Sequence, residues 1–324
     1  MRALMCEAHG EPETLVMRDV PAPEPGPGEI RIAVRAAGVN FPDALVIRNM
    51  YQRQPPLPFA PGGEAAGLID AIGPGVTGWS IGDRVAAYAL SGAFAEAMVV
   101  PASRVVPLSP KMDFETGAVF TMVYGTAFHA LHDRGRLQAG ETVLVLGAAG
   151  GVGLAAVEVA KAMGATVIAA ASSATKLDLA RAHGADDVID YAAEDLKQAI
   201  RDRTGGRGVD VIFDPVGGSL SEAAFRSIAL HGRHLVIGFA AGTIPAIPLN
   251  LPLLRQADIV GVAWGAFAGA DPAGYRANAD RLAAMYEAGA FRPHIGLRLP
   301  LERGGEALRA MLDRKVEGKV VIFP

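Results

Sequence analysis

The stretch from Thr142 to Gly164, TVLVLGAAGGVGLAAVEVAKAMG, constrains the chain more than any other. An apolar β-branched run leads into closely spaced glycines and then into an Ala-rich segment with helical pattern, so it reads as a buried strand, a glycine turn and a helix. Such a turn brings backbone close to a ligand where the first helical N–H groups have no partner, which is what a pyrophosphate needs. Gly150 and Gly153 take the second and third places of a G-x-G-x-x-G fingerprint and Ala148 the first, within a βαβ unit of about 30 residues. Ala149, Gly150, Gly151 and Val152 are therefore expected to line the phosphates.

The next strand, Thr166–Ala171, decides which nucleotide is bound. About 20 residues past the glycines, a cofactor lacking a 2′-phosphate usually meets an Asp or Glu. Here the chain reads Ser172-Ser-Ala-Thr-Lys176. Two hydroxyls and a cation suit an anionic 2′-phosphate, so NADPH is expected ahead of NADH. Ser172 and Ser173 equally suit a helix N-cap and Lys176 a solvated first turn, and one helix end can serve both purposes.

The rest of the chain fits an α/β enzyme of two domains. With 324 residues, 51% of them hydrophobic, two sizeable cores are possible. A formal charge of −4 and no basic block argue against nucleic acid, and no apolar run reaches the ~18 residues of a membrane span, so a soluble cytoplasmic protein is expected. The single cysteine, Cys6, excludes an intramolecular disulfide and a cysteine-built zinc site.

Residues 1–8, 14–20, 29–35, Glu64–Ile72, Arg84–Tyr88 and 93–100 have strand patterns, with a Pro/Gly linker at 21–28 and turn signals at 73–75 and 80–83. From residue 114 to about 265 helices alternate with apolar strands: a helix over 114–134, then strands Thr142–Leu146, Thr166–Ala171, Asp187–Asp190, Val209–Asp214, 234–239 and 258–264. That alternation predicts a doubly wound parallel sheet of Rossmann type. A helix over 272–288 and a strand over 318–323 are expected to return to the β-rich part. The expected domains are thus 1–122 with 266–324, and 123–265.

Six stretches in order now resemble the zinc-free quinone oxidoreductases of the medium-chain dehydrogenase/reductase family: PEPGPGEI at 23–30, AGVNFPD at 37–43, PGGEAAG at 61–67, GDRV at 82–85, GAAGGVG at 147–153 and GKV at 318–320. The resemblance covers the whole chain. It implies a GroES-like β domain, a Rossmann domain and an NADPH-bearing cleft between them, with hydride passing to a quinone. Zinc-dependent relatives carry a Cys where this chain has Asn40 and a His where it has Gly63, so no metal is expected. The His129/His132 and His231/His234 pairs, spaced i, i+3, lack convergent further ligands.

The resemblance further implies that Asn40 and Tyr51 lie near nicotinamide and acceptor, that Lys176 and Tyr191 grip the adenosine phosphate, and that Thr126 (at a helix start), Phe239 (ending the fifth strand) and Lys319 meet the cofactor. Without resemblance, Asn40 reads as a turn residue, Tyr51 as an amphipathic rim residue, Tyr191 and Phe239 as core, Thr126 as an interior helix hydroxyl and Lys319 as a solvated strand charge. Asp43 is expected to fix its loop. Similar enzymes pair their sixth strands about a twofold axis, which implies a homodimer. The alternative activity is an enoyl-thioester or acrylate-type double-bond reductase, for which Arg48 and Arg53 would help form a basic mouth. A non-catalytic NADPH-binding protein is the alternative of another class.

Overall fold

In the computed structural model, which describes residues 1–324, six parallel strands form one sheet. They are Thr142–Leu146, Thr166–Ala171, Asp187–Asp190, Val209–Asp214, Ile228–Val236 and Asp258–Gly261, and they lie side by side in the order third, second, first, fourth, fifth, sixth. That is the doubly wound order with its switch point between the first and fourth strands, the place where such sheets bind ligands. Leu144, Leu146, Ile168, Ile212, Phe225 and Ile228 fill a core against this sheet, each contributing about 1.5–3 kcal/mol on burial.

The last two strands differ from the sequence expectation. The fifth runs over Ile228–Val236 and not 234–239. Its middle is disguised by the polar run His231-Gly-Arg-His234 and by His231 at φ 62°, yet it pairs in parallel with Val209–Asp214. Phe239 therefore stands three residues past the strand, in a loop. The sixth strand ends at Gly261 because its last ladder partner is Val236, where the fifth strand stops. Trp264, expected to be extended, begins helix Trp264–Ala270.

The other unit is built on a seven-stranded sheet. Its path runs Ile295–Pro300, Lys319–Phe323, Glu29–Val39, Glu64–Ile72, Arg84–Tyr88, Val105–Pro107, with Ala97–Pro101 also pairing Glu29–Val39. All pairs are antiparallel except the first. Ile30, Ile32, Ile69, Phe94, Met98 and Ile322 form its core. Strands expected over 1–8, 14–20 and 93–100 shorten to Arg2–Met5, Val16–Asp19 and Ala97–Pro101. The 114–134 helix is α-helical over Phe114–Phe128 and closes in a π-helical turn, His129–Arg134.

By contacts, Met1–Met122, Ala268–Ala283 and Pro293–Pro324 make one unit, and Val123–Phe267 with Ala284–Arg292 the other. Residues 284–292, expected with the β-rich domain, thus belong to the nucleotide-type unit. There the Arg292 N–H donates to Glu158 at 3.0 Å and the Phe291 ring packs 5.0 Å from Tyr124. No helix is long and apolar enough to cross a membrane.

Candidate functional site

The glycine turn is shaped by three glycines with separate tasks. Gly147 takes φ 61°, a conformation that costs glycine little, so the tight turn sits one residue ahead of the fingerprint position occupied by Ala148. At Gly153 a Cβ would lie 2.3 Å from the Gly147 carbonyl oxygen, so only glycine lets the helix close on the turn. At Gly150, the residue before helix Gly151–Ala162, a Cβ would meet nothing nearer than that oxygen at 3.4 Å and would project into free space. Helix geometry leaves the N–H groups of Gly151, Val152 and Gly153 without carbonyl partners. A cradle with open room at Gly150 and unspent donors behind it fits an anion.

Beside it, the Ala148 N–H donates to the carbonyl of Ala170, and the Tyr191 N–H to that of Ala171. These bonds bring the glycine turn, Ser172 and Tyr191 together at the carboxyl ends of the parallel strands. Ser173 is the N-cap of helix Ala174–Ala182, but its side chain makes no capping bond. Lys176, in the first turn of that helix, is half-buried and forms no ion pair. Hydroxyl and ammonium are both uncommitted.

The fourth strand delivers Asp214 to the same end of the sheet, a residue the sequence reading passed over. Its carboxylate accepts from the N–H groups of Val216 and Gly217, each at 2.9 Å, from Ser221 Oγ, and from His234 Nε2 at 3.1 Å. Burial pushes the Asp214 pKa up, but the bonds from His234, Gly217 and Ser221 outweigh it and hold it below the usual carboxylate range. His231 and His234 are thus on a strand, and His234 is spent on Asp214. The fixed loop holds Gly217 at φ 72°, and Phe239 packs where a Gly217 Cβ would come within 3.0 Å of its ring. Thr126 stands near the C-terminal end of helix Phe114–Phe128, not at a helix start, and is half-buried.

In the β-rich unit, strand register gathers a second polar cluster. Val320 pairs with Val39 and Gly38 with Glu64, so Lys319, Asn40 and Glu64 fall side by side. Lys319 Nζ donates to the Val39 carbonyl at 3.1 Å, to Asn40 Oδ1 at 2.5 Å and to Glu64 Oε2 at 3.4 Å. Asn40 Nδ2 donates to Glu64 Oε2 at 3.1 Å, and the Met122 N–H to Glu64 Oε1 at 2.7 Å. Lys319, expected to meet cofactor or solvent, is 5% exposed, and Glu64 not at all. Asn40, 6% exposed, has both arms of its amide engaged inside the protein.

Asn40 also precedes helix Phe41–Ile47, and its N–H donates to Asp43 Oδ2 at 2.7 Å. The N-x-x-D spacing was a visible capping signal, and Asp43 does fix the loop. Burial of its carboxyl pushes its pKa up to about 7, against the lowering effect of the Asn40 N–H, Lys319 and the Gly63 N–H. Four residues past the helix, Tyr51 packs on the core, and burial and then the Asp43 charge raise its phenol. A Cβ at Gly63 would crowd the Ala89 carbonyl at 3.0 Å. No three His, Cys, Asp or Glu side chains converge to hold a metal ion, and His129 and His132 both bond Asp133.

Residues 26–110 match the alcohol dehydrogenase GroES-like domain family, and residues 151–284 the zinc-binding dehydrogenase family. Quinone oxidoreductase-like protein 2 of Rattus norvegicus is 38% identical over 99% of this chain and 91% of its own length. A quinone oxidoreductase of Pseudomonas aeruginosa is 36% identical over 98% of each chain. The chain belongs to the quinone oxidoreductases of the medium-chain dehydrogenase/reductase family. A mycobacterial member of known structure, solved in complex with NADPH, superposes with a TM-score of 0.94 at 32% identity over all of both chains. Asn40 and Gly63 of this chain stand inside the matched GroES-like segment, and the second matched segment begins at Gly151, within the glycine turn.

Proposed function

We propose that the chain is an NADPH-dependent quinone reductase that works without a metal. The observation that carries this reading is the open cradle at Gly150 beside the uncommitted Ser173 hydroxyl and Lys176 ammonium, which together suit a pyrophosphate and a 2′-phosphate. When bound, NADPH supplies a hydride from C4 of its nicotinamide. The chain's own part is to bind and orient. Ala149, Gly150, Gly151 and Val152 hold the pyrophosphate; Ser172, Ser173, Lys176 and Tyr191 hold the adenosine phosphate; Thr126 and Phe239 flank the nicotinamide, Phe239 being set by the Asp214 loop. Lys319 and Glu64 lock Asn40, which fixes the start of the helix leading to Tyr51, and the Tyr51 phenol hydrogen-bonds the acceptor oxygen. A quinone suits such a site because it is electron-poor without a Lewis acid, and oriented hydrogen bonds carry the charge that develops on its oxygen.

The activated-alkene alternative needs a cationic mouth to hold a phosphorylated carrier. Arg48 is already paired with Glu11 at 2.9 Å, which leaves Arg53 alone on that loop and supports the quinone reading. We also propose a homodimer joined through Asp258–Gly261. This strand is the edge of the parallel sheet, and Ile259 on it, with Leu249, Leu253 and Leu254 nearby in sequence, is exposed. The test of the activity is turnover with deuterium at C4 of NADPH. Label transferred during quinone reduction is the expected result; no quinone reduction, with label appearing on carbon of an enoyl thioester, moves the assignment to the alternative.

A further inference from the structure

The helix that starts at the glycine turn carries one carboxylate that the proposed chemistry does not use. Glu158 is 4% exposed, and its neighbours Val157 and Val159 are buried with it. Its Oε2 accepts the Tyr124 hydroxyl at 2.5 Å, and its Oε1 accepts the Arg292 N–H at 3.0 Å and the His183 Nδ1–H at 2.7 Å. A carboxylate is costly to bury, and a well-packed apolar residue in its place would serve stability about as well. What the carboxylate does that an apolar residue cannot is join particular groups. Those groups stand on the elements that carry the proposed cofactor contacts, and all belong to the nucleotide-type unit.

We infer that Glu158 is a positioning residue that places the two ends of NADPH separately, the nicotinamide end through Tyr124 and the adenosine-phosphate end through His183. The inference rests on the NADPH reading above and gives a role to three residues that reading leaves out.

Tyr124 and Thr126 share helix Phe114–Phe128. Two residues make about 200° of helical rotation, so the bond that draws Tyr124 to Glu158 turns Thr126 to the opposite side of its helix. Tyr124 is 2% exposed and its ring packs 5.0 Å from Phe291, so the ring is held by packing and the hydroxyl sets the rotation. His183 caps the C-terminal end of helix Ala174–Ala182, where its N–H bonds the Leu179 and Ala180 carbonyls at 3.1 and 3.2 Å. That helix of nine residues is about 14 Å long, and Ser173 and Lys176 stand at its other end. Glu158 therefore ties the far end of the 2′-phosphate helix to the pyrophosphate helix. A shift of about 1 Å at a reacting group can lower a rate by about 100-fold, so such remote ties reach the chemistry.

Three variants test the separation. Tyr124→Phe keeps the ring and removes only the hydroxyl. It is expected to lower kcat with 1,4-benzoquinone about tenfold, the size of one hydrogen bond, while the Kd for NADPH moves less than twofold. Deuterium at C4 of NADPH should then slow turnover more than in wild type, because hydride transfer has become the slower step. His183→Ala is expected to raise the Kd for NADPH about tenfold and that for NADH less than twofold, both read by titration calorimetry. His183→Asn, whose amide nitrogen stands where Nδ1 does, should restore the NADPH value. Should His183→Ala not fold, His183→Gln carries the same requirement, since its amide nitrogen overlays Nε2. A part in stability alone would lower melting temperatures and either leave kcat and the Kd ratio as in wild type or move them together in both variants. Either result overturns the inference and leaves the NADPH reading standing. If butenone is reduced and benzoquinone is not, the quinone assignment falls alone and kcat is read on butenone. A wild type that binds NADPH no better than NADH, or that reduces neither acceptor, overturns the reading and the inference together.

Discussion

Lys319 and Glu64, 255 positions apart in sequence, meet at 3.4 Å with Asn40 bonded to both. Both side chains are buried, so each charge depends on the other. Removing one member of such a pair costs about 3–5 kcal/mol, because the partner is left buried and uncompensated. Lys319→Met should lower stability by that order in denaturant unfolding, and adding Glu64→Gln should recover part of it. A single variant as stable as wild type would mean that the pair holds nothing together.

The two glycines of the phosphate turn should separate fold from binding. Gly153→Ala drives a Cβ to 2.3 Å from the Gly147 oxygen and is expected to lower the melting temperature. Gly150→Ala points into open space, so the melting temperature should hold while NADPH affinity, followed by nicotinamide fluorescence, drops at least tenfold.

Lys176→Ala should narrow the preference for NADPH over NADH. A charge-assisted hydrogen bond contributes about 1.5–3 kcal/mol, or one to two decades in affinity. Titration calorimetry with both cofactors reads this directly. Equal loss for both would assign Lys176 to the fold.

Ile259→Asp places a charge in the exposed edge strand. It is expected to convert a dimer to a monomer in light scattering at micromolar concentration, with little change in the circular dichroism spectrum. Wild-type protein that is already monomeric contradicts the proposed assembly.

Asp43 gives stability a pH dependence of known sign. Its folded pKa, about 7, lies above the 3.8 of an ordinary Asp, so the folded state holds the proton more tightly. Its contribution is complete below the unfolded value and is lost as pH rises from about 4 to 7. At 1.36 kcal/mol per pKa unit this amounts to roughly 4 kcal/mol. Wild-type stability relative to Asp43→Asn should fall by that order across the window in urea titrations; parallel curves would show that Asp43 keeps an ordinary pKa.

The doubly wound sheet was legible because its first four strands are short, apolar and separated by helical periods, and the phosphate turn because glycine spacing follows from local backbone needs. The fifth strand was half hidden, since its charged middle follows no period and only pairing with Val209–Asp214 makes it extended. The second cluster was visible only in pieces. The resemblance named Asn40 and Lys319, and the local spacing tied Asp43 to Asn40. That Glu64 binds both Asn40 and Lys319 follows from the register of three strands, which no local pattern encodes. The bond between His234 and Asp214 was hidden for the same reason: it joins adjacent strands.

The place of Lys319–Phe323 inside the seven-stranded sheet sets an order on biosynthesis. Its neighbours are Ile295–Pro300 on one side and Glu29–Val39 on the other, so Glu29–Val39 emerges from the ribosome long before the strand that will flank it. Residues 123–267 are translated in the interval and contain every strand of their own sheet. The nucleotide-type unit can therefore finish first, while the first-made unit waits with Glu64 lacking its ammonium and one sheet edge open to other nascent chains.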